Sequence, residues 1–135
     1  MRSQLVQGIR EQIASGLINN NLTSCSKWAT VRRIMAGEHP GPYSFDKYPW
    51  ARGISDTLTP YTTVMKAAQM GVTECAINRA FYTIDILKRD VLYVLPTALN
   101  AGDFSKTRFN TALHYSPYLA ELFTDTNSIQ VKIAS

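Results

Sequence analysis

The stretch Lys66-Ala67-Ala68-Gln69-Met70-Gly71-Val72-Thr73-Glu74 gathers the residue types that hold phosphate. A phosphate loop has the form G-x-x-x-x-G-K-[ST] and joins a strand to a helix. Laid over that form, Lys66 stands where the first glycine belongs, Gly71 and Thr73 match, and Val72 replaces the lysine. The loop's backbone N–H groups and the positive end of the following helix act whatever the side chains are. Gly71 permits a close backbone approach, and Thr73 offers an oxygen to Mg2+. A cation beside the β- and γ-phosphates is indispensable, because charge gathers there in the transition state. Val72 cannot supply it. Lys66, with a flexible four-carbon arm, reaches in from the other end of the loop. A second reading stays open at this point, in which Lys66 is a solvated lysine before an ordinary strand-to-helix turn.

Such a loop needs a strand before it and a helix after it. Thr62-Thr63-Val64-Met65 is β-prone. The periodicity predicts a helix over 72–88, with Ile77, Ala80, Phe81, Ile84 and Leu87 on its apolar face and Glu74, Asn78, Tyr82, Asp85 and Arg89 opposite. Residues 91–95, Val-Leu-Tyr-Val-Leu, read as a strand buried on both faces of a parallel sheet, closed by Pro96-Thr97. Helices follow near 103–114 and 117–123, and Ile129, Val131 and Ile133 alternate as a last strand. That order predicts an α/β fold: a parallel sheet of phosphate-loop NTPase type with right-handed crossovers and flanking helices.

Upstream, Leu5, Ile9, Ile13 and Leu17 set a helix over 3–18. A second is expected over 24–36, capped by Ser24 or Ser26 and stopped by Gly37, with Trp28, Val31 and Met35 as its stripe. Two prolines and a glycine keep 38–43 irregular, and a short helix starts at Pro49 and runs to about Thr57. Residues 1–60 thus form an N-terminal helical segment with a nucleotide-proximal loop. Residues 61–135 form the first part of the nucleotide-binding domain.

Composition narrows the class further. The chain has 135 residues, 45% hydrophobic and 18% charged, the profile of a single folded domain. No apolar run approaches membrane-spanning length, and the charged N-terminus is unlike a secretion signal. Cys25 and Cys75 lack metal-ligand or redox spacing and read as reduced, partly buried side chains. The net charge of +4 suits a polyanionic partner but is spread thinly. Arg32-Arg33, Lys88-Arg89 and Lys106/Arg108 read as solvated helix surface.

Further pieces carry a family resemblance: Pro40-Gly41-Pro42-Tyr43, Tyr48-Pro49-Trp50, the run Val64 to Glu74, Val94-Leu95-Pro96-Thr97 and Phe104-Ser105-Lys106-Thr107-Arg108-Phe109. In order and spacing, from about Trp28 to Ser135, these resemble the ATPase domain of the large terminase subunit of lambda-like tailed phages. That family often places the basic residue at the start of its phosphate loop (Walker A), as Lys66 does here. The resemblance implies ATP and Mg2+ as cofactors, with Lys66 the catalytic cation, 66–74 the phosphate loop and Thr73 the metal-binding hydroxyl. It implies an aromatic contact to adenine from Tyr43, Tyr48 or Trp50, although a core anchor is the expected fate of Trp50. Gln69 would touch phosphate, and Thr97, Lys106 and Arg108 are candidates for DNA contact.

It implies double-stranded DNA, the small terminase subunit and the portal protein as partners, a homo-oligomeric motor, and work in the host cytoplasm. An ATPase of this kind also needs an apolar strand ending in an acidic residue (Walker B). None of the ten acidic residues closes such a strand, so the chain is expected to be a front fragment, inactive alone. A helicase-type ATPase, or a remnant that binds DNA or a partner without nucleotide, is the alternative.

Overall fold

The computed structural model describes residues 22–37 and 40–123, with the backbone of 126–127 and 132–133; the helix expected over 3–18 lies outside these. Helix α1 (Cys25–Arg32) begins at Ser24, whose hydroxyl accepts from the Lys27 N–H. It ends sooner than expected because Arg33 turns to extended backbone, with φ −92° and ψ 130°. Strand β1 (Ile34–Met35) then pairs antiparallel with β2 (Gly41–Pro42). The Tyr43 N–H donates to the Arg33 carbonyl at 2.9 Å, extending that hairpin. The Pro-Gly-Pro stretch therefore supplies one side of a short ladder rather than a free loop.

Helix α2 (Ala51–Asp56) falls inside the range set by Pro49. Helix α3 (Val72–Asp85) stops three residues early, with Lys88 just beyond it in the left-handed region at φ 52°. The helix expected over 103–114 starts earlier, as α4 (Ala98–Phe104). It passes through a π-helical turn at Ser105–Phe109 into α5 (Asn110–Tyr115). Helix α6 (Pro117–Leu122) opens on a proline, and β3 (Thr126–Asn127) pairs antiparallel with β4 (Lys132–Ile133).

The architecture is thus α/β but mostly helical, and every strand pairing among the described residues is antiparallel. The segments 62–65 and 91–95, expected as strands of a parallel sheet, form neither strand nor helix. Leu92 is 88% exposed, so 91–95 is not buried on both faces as its apolar pattern suggested, and Met65 is fully exposed. The physical reason is that β-propensity makes an extended chain, whereas a strand needs a neighbour offering its N–H and C=O groups. No described segment does so here. Of the expected last strand the described residues are Lys132–Ile133, which pair antiparallel with Thr126–Asn127; the rest lies outside the described residues.

Helix α3 runs through the middle of the core. Ile77, Phe81, Trp28 and Leu119 are fully buried, and the Phe81 ring lies 6.4 Å from Trp28, 4.3 Å from Phe109 and 5.6 Å from Phe123. Helices α1 and α2 pack against α3 from the N-terminal half, while Phe109, Leu113 and Phe123 join the same cluster from the C-terminal half. One core therefore draws on residues from both sides of position 60.

Packing on two sides overturns the expected polar face of α3. Asn78, Tyr82 and Asp85 are buried. The Asp85 carboxylate accepts from Trp28 Nε1 at 2.7 Å and from the Tyr118 hydroxyl at 2.8 Å, and the Tyr82 hydroxyl donates to the Thr23 carbonyl at 3.3 Å. Hydrogen bonds offset the burial of Tyr82 and Asp85, whereas the Asn78 side-chain amide is buried with no hydrogen-bond partner among the described residues. On α1 the expected stripe also changes: Trp28 is buried, but Val31 faces solvent and Met35 belongs to β1.

Candidate functional site

The approach to α3 is an exposed chain. Residues 61–67 belong to no helix or strand, a turn follows at Ala68–Gln69, and Gly71 caps α3. Gln69 has φ 58° and Gly71 has φ 73°, both in the left-handed region. A side chain at Gly71 would meet the Tyr48 ring at an ordinary 3.4 Å, so it is the backbone angle that requires glycine. The Gly71 carbonyl accepts from the N–H groups of Glu74 and Cys75, at 3.1 and 3.2 Å. No side chain caps the helix. The first-turn N–H groups of Val72 and Thr73 lack intrahelical acceptors by geometry, which makes this end of α3 receptive to an anion. Lys66 and Thr73 are both exposed, and among the described residues Lys66 Nζ donates to the adjacent Ala67 carbonyl alone, at 3.3 Å.

Two of the three aromatic candidates stand at this loop. Tyr48 packs on Gly71, and Trp50 lies edge-on to Tyr48 at 5.5 Å with Nε1 donating to the Met70 carbonyl at 3.4 Å. Trp50 is 45% exposed and is not the core anchor expected of it. Its neighbour Ala51 enters the core instead, because the first turn of α2 directs that position inward. Tyr43 is buried edge-on to Phe45 at 5.0 Å, and burial, followed by the Cys75 thiol, raises its hydroxyl above the ordinary tyrosine range.

Beside the loop lies an ion cluster that sequence reasoning missed. Glu74, in the first turn of α3, accepts from Arg33 Nη2 at 2.6 Å on Oε2, and Arg108 Nη1 stands 3.6 Å from Oε1. Arg33 is buried, contrary to the expectation that Arg32-Arg33 is solvated surface. Burial lowers the Arg33 pKa, and the Glu74 carboxylate opposes that shift. The sequence offered only an acidic residue in the first turn of the long helix; the end of α1 at Arg33, before the Gly37 expected to stop it, is what sets the pair. The π-helical turn places Arg108 at Glu74. Thr97 caps α4, its hydroxyl accepting from the Asn100 N–H at 3.1 Å, while Lys106 is exposed on the π-helical turn.

The donor set fits a nucleotide phosphate chain. It offers backbone N–H groups at an uncapped helix end, an exposed lysine, and a hydroxyl at Thr73. Glu74 would repel an anion if its charge were free, but Arg33 balances it at contact distance. Among the described residues no group of three or more His, Cys, Asp or Glu side chains is arranged to hold a metal ion. A magnesium ion here would therefore take most of its ligands from phosphate and water.

The chain matches the phage terminase large subunit gpA, ATPase domain, over residues 37–133, and belongs to that family. The matched span contains the Lys66–Glu74 segment and every described element from β2 to β4. No curated protein and no solved structure matches the chain. The family is that of the ATPase of phage DNA-packaging motors. No helix among the described residues is long and apolar enough to cross a membrane.

Proposed function

We propose that this chain is the ATP-binding front part of a DNA-packaging terminase motor, with 66–74 as its phosphate loop. The observation that carries the reading is the left-handed Gly71 cap, which opens a 14-residue helix whose first turn no side chain closes, next to an exposed Lys66. In this reading Gln69 and the loop backbone hold the phosphates, and Lys66 brings the cation that Val72 lacks. Thr73 holds Mg2+, and Tyr48 or Trp50 lies against the base. The bound ion would stabilise charge developing on the phosphates. The protein's own part is to orient the chain of phosphates and to keep Glu74 neutralised through Arg33.

Working as a double-stranded DNA translocase in the host cytoplasm, the motor would be a homo-oligomer that meets the small terminase subunit and the portal. Lys106, exposed on its turn, is the better DNA contact. Thr97 already uses its hydroxyl as a helix cap. Residues 1–60 would supply the aromatic side of the nucleotide site and 61–135 its phosphate side.

Titration with a fluorescent ATP analogue tests the proposal. A charge-assisted contact to phosphate is worth about 1.5–3 kcal/mol, so Lys66→Ala should weaken ATP roughly 10- to 150-fold. AMP binding should hardly change. Thr73→Ala should weaken Mg-ATP more than metal-free ATP. Unchanged ATP affinity in the Lys66 variant would sink the assignment, and a wild-type chain that binds DNA but no nucleotide would favour the remnant reading.

A further inference from the structure

The cluster around Glu74 holds two guanidinium groups and one carboxylate. Arg33 and Glu74 form the tight half: 2.6 Å apart, with side chains only 3% and 18% exposed. Arg108 is 59% exposed and stands 3.6 Å from the remaining carboxylate oxygen, beyond hydrogen-bond distance. One negative charge thus faces two positive ones. Arg33 cannot leave, since it would lie buried without its counter-charge. Arg108 can leave at little cost, because an exposed ion pair of this length is weak.

The place of this surplus cation matters. Glu74 is hydrogen-bonded through its own N–H to the Gly71 carbonyl, so its carboxylate sits on the first turn of α3. Arg108 is held there by the fold rather than by chance. Phe104 and Phe109, five residues apart, both pack inward: Phe104 stacks on Tyr93 at 4.6 Å and Phe109 on Phe81 at 4.3 Å. Five-residue spacing on one face suits a π-helical turn and not an α-helix, and that turn carries Arg108.

We propose that Arg108 is a second phosphate-contacting cation, held on Glu74 before nucleotide binds and transferred to a bound nucleoside triphosphate. This rests on the phosphate-loop reading above and assigns Arg108 to nucleotide rather than DNA. A triphosphate offers several oxygens and a higher charge than Glu74, whose own charge is already met by Arg33. A planar guanidinium also pairs well with phosphate oxygens. No bond is made or broken; only the partner of the guanidinium changes.

The test compares Arg108→Gln, Arg108→Lys and Lys66→Ala in the whole chain, measuring ATP, AMP and double-stranded DNA affinity separately. Arg108→Gln should weaken ATP about 10-fold and leave AMP and DNA within about twofold. Arg108→Lys should recover part of the ATP loss, and circular dichroism should be unchanged because the side chain is exposed. If Lys66→Ala weakens ATP and Arg108→Gln does not, the loop stands and the role of Arg108 is wrong. Loss of DNA binding alone in Arg108→Gln makes it a DNA contact and overturns the proposal. Should neither variant change ATP affinity, or should the wild type bind none, the phosphate-loop reading falls and takes this one with it.

Discussion

At the scale of single residues, the strongest polar contacts lie away from the loop. Asp85 is a buried carboxylate joining α3 to α1 through Trp28 and to α6 through Tyr118. Hydrogen bonds to a charged group contribute about 1.5–3 kcal/mol each, and removing the acceptor leaves two donors unsatisfied. Asp85→Ala should therefore destabilise the fold by roughly 3 kcal/mol or more, read by urea denaturation. An effect under about 1 kcal/mol would mean that these contacts do not persist in solution. Burial also shapes the alkaline limit. The Cys25 thiol is pushed up to about 12, first by burial, and the Tyr118 hydroxyl to about 12 by burial and then by Asp85. Both groups hold their proton more tightly when folded. Their contribution is complete below about pH 9 and is lost as pH rises towards 12. The melting temperature should fall across that window, and Cys25→Ala should make the fall shallower.

At the scale of elements, α3 separates what a sequence pattern reports from what it cannot. The recurrence of Ile77, Ala80, Phe81 and Ile84 identified the inward face and most of the helix length, because apolar side chains at 3.6-residue spacing have one place to go. Tyr82 and Asp85 were assigned to solvent because their partners, Thr23 for the first and Trp28 and Tyr118 for the second, all lie far away in the sequence. Hydropathy cannot register a partner. The same blindness made strands of 62–65 and 91–95, whose composition is right but whose neighbours are missing among the described residues. The loop was legible in its glycine and in the helix behind it, whereas the Arg33–Glu74 pair depends on α1 ending where it does. Phe81→Ala should cost about 3–5 kcal/mol through lost burial and a cavity. Tyr82→Ala, expected to be mild from the sequence, should now cost at least about 2 kcal/mol, since its ring is buried and its hydroxyl bonded. Leu87→Ala, exposed just past the helix, should stay within about 0.5 kcal/mol. A mild Tyr82 variant would restore the amphipathic picture.

At the scale of the whole molecule, the apolar surface is unevenly spread. Leu92 and Val94 project into solvent, and Leu92 with its neighbours Val91, Tyr93 and Leu95 lines an open cleft of about 320 Å³ with Phe104 and Phe109. On the approach to the loop, Tyr61 and Met65 are also bare. Contiguous apolar surface of this kind drives association. The net charge of +4 opposes that tendency only weakly. The chain should therefore self-associate at micromolar concentration and enhance the fluorescence of a dye that binds apolar surface. Sedimentation velocity over a concentration series measures the first, and dye titration the second. Replacing Leu92 and Val94 together by lysine puts charge on the exposed segment without opening the core. The double variant should sediment as a monomer with less dye bound, its stability changed by no more than about 1 kcal/mol, since neither side chain is buried. Reduced association with a large loss of stability would instead place these residues inside the native fold in solution. A wild-type chain that remains monomeric and leaves the dye dark would show that the cleft and the exposed segment are covered by parts of the chain outside the described residues.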